Sequence, residues 1–90
     1  MAVVERLVEI VNPLGLHARP SAEFVKLASQ FRAEVSLSKD DMSVNGKSIL
    51  GVMTLAAECG SHLRIRTEGD DAEAAIEALA SLVQKGFTEV

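Results

Sequence analysis

The alternation of apolar and polar positions divides this chain into seven elements. From Val3 to Val11, β-branched residues punctuated by Glu5, Arg6 and Glu9 read as a strand. Asn12, Pro13, Leu14 and Gly15 form a turn. The period then changes. From Ala18 to Phe31, the residues Ala18, Ala22, Val25 and Ala28 recur at helical spacing, and Phe24, Leu27 and Phe31 widen the stripe. This predicts a helix laid on a sheet, with Pro20 in the first turn, where its missing N–H costs nothing.

Ala33 to Ser38 alternates again, with Val35 and Leu37 on one side. Lys39, Asp40 and Asp41 read as a hairpin turn before a short strand from Met42 to Val44, and Asn45-Gly46 is a second turn. Lys47 to Ala57 predicts a short helix with Ile49, Val52, Met53 and Ala56 on one face; Gly60 ends it or opens the next loop. His62 to Thr67 is a strand with Leu63, Ile65 and Thr67 inward and His62, Arg64 and Arg66 outward. Asp70 followed by Glu73 resembles a capping box for a last helix, whose inner face is Ile76, Leu79, Ala80 and Val83 and which Lys85 and Gly86 close. The order β-α-β-β-α-β-α predicts an α+β fold. Its four-stranded, mainly antiparallel sheet would be covered on one face by three helices, with the other face solvated.

Composition narrows the class. Ninety residues make one domain, and a 48% hydrophobic content with only 3% aromatics requires a core of aliphatic side chains. A net charge of −4 argues against a nucleic-acid partner, which needs a basic surface. No apolar run is long enough to span a membrane, and the charged N-terminal stretch is not a secretory signal. One cysteine, Cys59, excludes an internal disulfide and fits a reducing cytoplasm. Cys59 and His62 have the spacing of half a metal site, but two ligands do not make one, so no metal or cofactor is expected.

The candidate chemistry lies in Leu14-Gly15-Leu16-His17-Ala18-Arg19-Pro20. It sets a histidine at the mouth of a predicted helix, with an arginine two residues on. A helix N-terminus presents unused N–H groups and the positive end of the dipole, a seat for phosphate. A neutral imidazole there is also a nucleophile able to carry a phosphoryl group. Two readings stand side by side: a phosphoryl acceptor assisted by Arg19, or a capping histidine without chemistry. Ser48 likewise is either the N-cap of the second helix or a regulatory phosphorylation site. Leu50 lies off the Ile49, Val52, Ala56 stripe and is expected to be exposed, as part of a partner-docking surface.

The segments Asn12 to Pro20 (NPLGLHARP) and Asn45 to Leu55 (NGKSILGVMTL), together with the element order, resemble the HPr family over essentially all 90 residues. These are the histidine phosphocarriers of the phosphoenolpyruvate-dependent sugar phosphotransferase system. The resemblance implies an open-faced β-sandwich. It implies that His17 accepts phosphate on Nδ1 from phosphorylated enzyme I and passes it to a histidine of a sugar-specific enzyme IIA domain. Arg19 would assist, and the N–H groups of Ala18 and Arg19 would hold the phosphoryl oxygens. Ser48 would be the serine phosphorylated by an ATP-dependent kinase/phosphorylase. Ile49, Leu50 and Met53 would dock enzyme I, enzyme IIA and regulators, a transcriptional regulator among them. The chain would be a bacterial, cytoplasmic, monomeric carrier rather than an enzyme. HPr-like chains also serve a nitrogen-related regulatory branch, to which Val8–Asn12 and Lys85-Gly86-Phe87 are similar. A regulatory paralogue lacks the reactive histidine, so the presence of His17 argues against that assignment. Ser21 stands where alanine is usual in the family.

Overall fold

The computed structural model describes residues 2–87. The order of elements is the predicted one: β1 (Ala2–Glu9), α1 (Ala18–Ala28), β2 (Glu34–Lys39), β3 (Met42–Asn45), α2 (Ile49–Thr54), β4 (His62–Gly69) and α3 (Ala72–Gln84). The strands form one sheet in the order β1-β4-β2-β3, antiparallel throughout. Its register follows from the alternation. Val8 stands opposite Leu63, Ile65 opposite both Arg6 and Leu37, and Leu37 opposite Val44. These rows face the helices, and Val8, Leu37, Leu63 and Ile65 are buried there. A one-residue slip would carry all of them into water.

The other face of the sheet is solvated. Glu5 lies between Arg64 and Arg66 at 3.8 and 3.7 Å, Arg66 reaches Glu68 at 3.1 Å, and His62 stands 3.9 Å from Glu9. Exposed pairs of this kind add little stability; their effect is to keep the face wet and discourage sheet stacking. Arg6, on the helix side of edge strand β1, crosses to Glu77 of α3.

The helices differ from expectation in instructive ways. In α1 the buried side chains are Pro20, Ser21, Phe24 and Ala28, whereas Ala18 and Ala22, expected on the inner stripe, are exposed. The helix turns to bury the Phe24 ring completely, because an aromatic side chain gains far more from burial than an alanine methyl. It stops at Ala28, three residues short of Phe31. The shorter α2 is bounded by Ser48 as its N-cap and by Ala56, whose φ of 49° is incompatible with continuation. Of its predicted inner face only Val52 is buried; Ile49, Met53 and Ala56 are exposed. The inner face of α3 is as read, with Ile76, Leu79, Ala80 and Val83 buried.

The expected capping box does not form. Asp71, not Asp70, is the N-cap of α3, and its carboxylate makes no cap bond. Its two oxygens instead accept the backbone N–H groups of Arg32 and Ala33, each at 2.8 Å. The carboxylate thereby fixes the α1–β2 loop against the start of α3, where Gly69 leaves room for Ala33: a Cβ at Gly69 would sit 2.9 Å from Ala33 Cα. The Arg32 N–H, then those of Ala33 and Asp71 itself and the charge of Lys47, outweigh desolvation and hold the Asp71 carboxyl below its usual 3.8. A depressed carboxylate pKa stabilises the fold above the unfolded-state value, and that contribution is lost as pH falls through the folded-state value. Asp71→Asn is therefore expected to lower Tm at neutral pH, with the gap to the parent protein closing below about pH 4. Thermal melts across pH check this; a gap that stays constant into acid would show that the charge is not involved.

Candidate functional site

The loop carrying the histidine is built by Asn12 and Gly15. Asn12 is fully buried; its Nδ2 donates to Gly15 O at 2.8 Å, and Gly15 N–H returns to Asn12 O at 3.1 Å. Gly15 has φ +67°, and a Cβ there would lie 2.3 Å from Ala57 O, so only glycine lets the loop come this close to the segment after α2. Leu16 N–H then bonds that same Ala57 oxygen at 2.9 Å, and the Leu16 side chain is buried. The loop tip, Leu14, is 76% exposed.

His17 follows as the N-cap of α1, with extended backbone and no side-chain cap bond. It is half-buried, and its Nε2 is turned into the protein. The first α-helical bond at this end runs from Ser21 N–H to His17 O, 3.1 Å. Of the residues between, Pro20 has no N–H, so Ala18 and Arg19 supply the helix's free donors beside the imidazole. Arg19 is exposed and among the described residues makes no ion pair. The site thus brings together a ring, two backbone donors, a dipole end and an exposed cation, which suits a transferable anion.

The second candidate segment is also a helix start. Asn45 Oδ1 accepts Lys47 N–H at 2.9 Å, and Ser48 Oγ accepts Gly51 N–H at 3.1 Å. Ser48 is therefore an N-cap by geometry, and half-buried. Beyond it, Leu50 is 80% exposed, Ile49 43% and Met53 38%. Three apolar side chains on a six-residue helix face outward, in a region where α1 lies against α2. The Leu16–Ala57 bond sets the histidine loop against the segment after α2, and α1 packs on α2, whose outward face carries Ile49, Leu50 and Met53.

Cys59 and His62 are not brought to this site. Cys59 is exposed, with Sγ 3.7 Å from Val11 O, and His62 lies on the solvated sheet face. Among the described residues no three His, Cys, Asp or Glu side chains cluster as a metal site would require. No helix among them is long and apolar enough to cross a membrane. A cavity of about 400 Å³ opens beside β2 and β3, between Glu34, Asn45, Lys47 and Arg66, away from His17.

Two features escaped sequence reading. Leu14 puts an exposed apolar side chain on the histidine loop; its position in an Asn-Pro-Leu-Gly turn was the available signal. Ser21 is fully buried and its hydroxyl donates to Leu16 O at 3.2 Å, a contact no spacing rule announces.

Comparison with known proteins places these features in a family. The PTS-HPr family, described as "PTS HPr component phosphorylation site", matches residues 4–85. The phosphocarrier protein HPr of Neisseria meningitidis is 46% identical over 87 residues, 97% of this chain and 98% of that protein. A crystal structure of HPr from Thermoanaerobacter tengcongensis superposes with TM-score 0.92 at 45% identity, covering 97% of this chain and 98% of the other. A crystal structure of Crh, the catabolite repression containing protein of Bacillus subtilis, described as a swapped dimer, gives TM-score 0.76 at 42% identity, over 92% and 95%.

Proposed function

Because the chain belongs to the HPr family of phosphocarriers, we propose that His17 is its phosphoryl acceptor, loaded by phosphorylated enzyme I and discharged to a histidine of an enzyme IIA domain. The observation that carries this reading is the state of the His17 ring: half-buried at the N-cap of α1, Nε2 inward, next to the free donors of Ala18 and Arg19. With Nε2 turned inward, the reading assigns the phosphoryl group to Nδ1. Its lone pair attacks the phosphorus of the donor phosphohistidine. As the new P–N bond forms, the old one breaks, and its electron pair returns to the donor imidazole. Transfer to enzyme IIA is the same step with this chain as donor. The N–H groups of Ala18 and Arg19 and the guanidinium of Arg19 offset the phosphoryl charge. Neither metal nor cofactor enters, and the chain carries rather than catalyses. It acts as one domain, residues 1–90, as a cytoplasmic monomer.

Intact-mass analysis after mixing the protein with enzyme I, magnesium and phosphoenolpyruvate tests this. One phosphate adduct, lost in acid, is expected. The absence of an adduct with an enzyme I that phosphorylates itself would sink the reading.

Ile49, Leu50, Met53 and Leu14 form the docking surface on this reading, and Ser48 is its switch. A phosphate on Ser48 adds about −1.5 to −2 charges beside Ile49 and Leu50. The helix start tolerates that charge, but an apolar contact does not. A kinase/phosphorylase and a transcriptional regulator are the partners this switch implies. Ser48→Asp is expected to raise the KM for enzyme I about tenfold, with Tm nearly unchanged. Steady-state phosphorylation at varied enzyme I checks this, and an unchanged KM would exclude Ser48 from docking control.

A second reading, a regulatory module acting by binding alone, draws on the likeness to Crh and on the outward apolar face of α2. It requires that regulator binding and phenotype survive His17→Ala and change in Ser48→Asp.

A further inference from the structure

The buried hydroxyl of Ser21 plays no part in the reading above. Ser21 lies one turn into α1 and is completely shielded from solvent. A serine inside a helix ordinarily returns its hydroxyl to the carbonyl four residues back. Here that carbonyl, His17 O, accepts from Ser21 the N–H alone, at 3.1 Å. The hydroxyl reaches one residue further, outside the helix, to Leu16 O at 3.2 Å. One residue therefore holds two successive carbonyls. The remaining backbone groups of this dipeptide are engaged as well: Leu16 N–H by Ala57 O at 2.9 Å and His17 N–H by Gly15 O at 3.0 Å.

The consequence concerns the peptide between Leu16 and His17. Its oxygen is Leu16 O and its nitrogen is His17 N, so Ser21 and Gly15 pin the plane at both ends. That plane fixes the direction in which His17 projects its ring relative to the N–H groups of Ala18 and Arg19. An alanine at this position would keep the helix and the N–H bond but leave the plane held at its nitrogen end alone. We propose that Ser21 is a positioning residue for His17, its hydroxyl holding the Leu16–His17 peptide so that the imidazole stays aimed for phosphoryl transfer. The inference rests on the carrier role of His17. Small errors of aim at a reacting atom cost rate rather than affinity.

Ser21→Ala and the parent protein are compared by steady-state phosphorylation with enzyme I and phosphoenolpyruvate, and by ¹⁵N NMR of the His17 ring. Loss of one buried hydroxyl bond is expected to lower kcat about three- to tenfold. The KM for enzyme I should hold, since Ile49, Leu50 and Met53 are untouched. The His17 ring signals should move while the amide signals of β1 and β4 stay. An unchanged kcat, unmoved ring signals, or a rise in KM alone would overturn the proposal. If Ser21→Ala does not fold, Ser21→Cys, of similar size and with a weaker donor, decides it: reduced kcat supports positioning, and parental kcat overturns it. Should the parent protein itself accept no phosphate, the carrier reading fails first, which is distinct from a parent and variant that accept it equally well.

Discussion

Replacing His17 with alanine is expected to reduce phosphoryl acceptance from enzyme I to background, a loss of about three orders of magnitude or more, with no phosphate adduct in the intact mass. The size of the effect follows from what remains. The second histidine, His62, lies on the solvated face of the sheet beside Glu9, with no helix start near it. Ser48 caps a different helix, and on the reading above its hydroxyl takes phosphate from a kinase rather than from enzyme I. Neither can take over. His62→Ala is the matching control and should transfer at the parental rate. An adduct that persists in His17→Ala and disappears in His62→Ala would reverse the assignment.

The second large effect is expected from Gly15→Ala. An alanine at φ +67° costs about 1–2 kcal/mol in backbone strain. The methyl would also lie 2.3 Å from Ala57 O, so the loop must retreat from the segment after α2. That retreat takes the Leu16–Ala57 bond with it, about 1 kcal/mol more. A total of about 2–3 kcal/mol in a chain of this size lowers Tm by about 10–20 °C. Calorimetry reads this directly. Phosphoryl acceptance should fall as well, because His17 lies two residues from the displaced atom. A variant that melts within a degree or two of the parent would show that the loop does not rest on Ala57.

The two effects separate what could be read along the chain from what could not. The strand alternation and the inner face of α3 were legible, because Leu63, Ile65 and the Ile76–Val83 face are apolar positions that the fold buries. In α1 the periodicity was legible but not the rotation, since two apolar stripes lie side by side and burial of one ring, Phe24, selects between them. In α2 the apolar face was legible but not its fate: Ile49 and Met53 satisfy helical spacing, and nothing in spacing says whether the molecule itself or a partner covers them. Asp70 and Asp71 both suit an N-cap, and the choice depended on two N–H groups almost forty residues away. His17, Arg19 and Ser48 were singled out because their motifs are local. Ser21 was passed over because its value lies in the carbonyl it reaches, and a hydroxyl in a helix carries no mark of its target.

Pro20 has a consequence for turnover. A phosphoryl group on His17 presents three peripheral oxygens, yet an imino acid at the third helical position leaves backbone donors on Ala18 and Arg19 alone. Two donors against three oxygens make an incomplete socket. The vacant valence is open to solvent, to the exposed guanidinium of Arg19, or to whatever group an approaching receiver extends. On the proposed reading, a full complement of donors would make the phosphoprotein a sink, and one place short leaves the phosphoryl group available to the next partner.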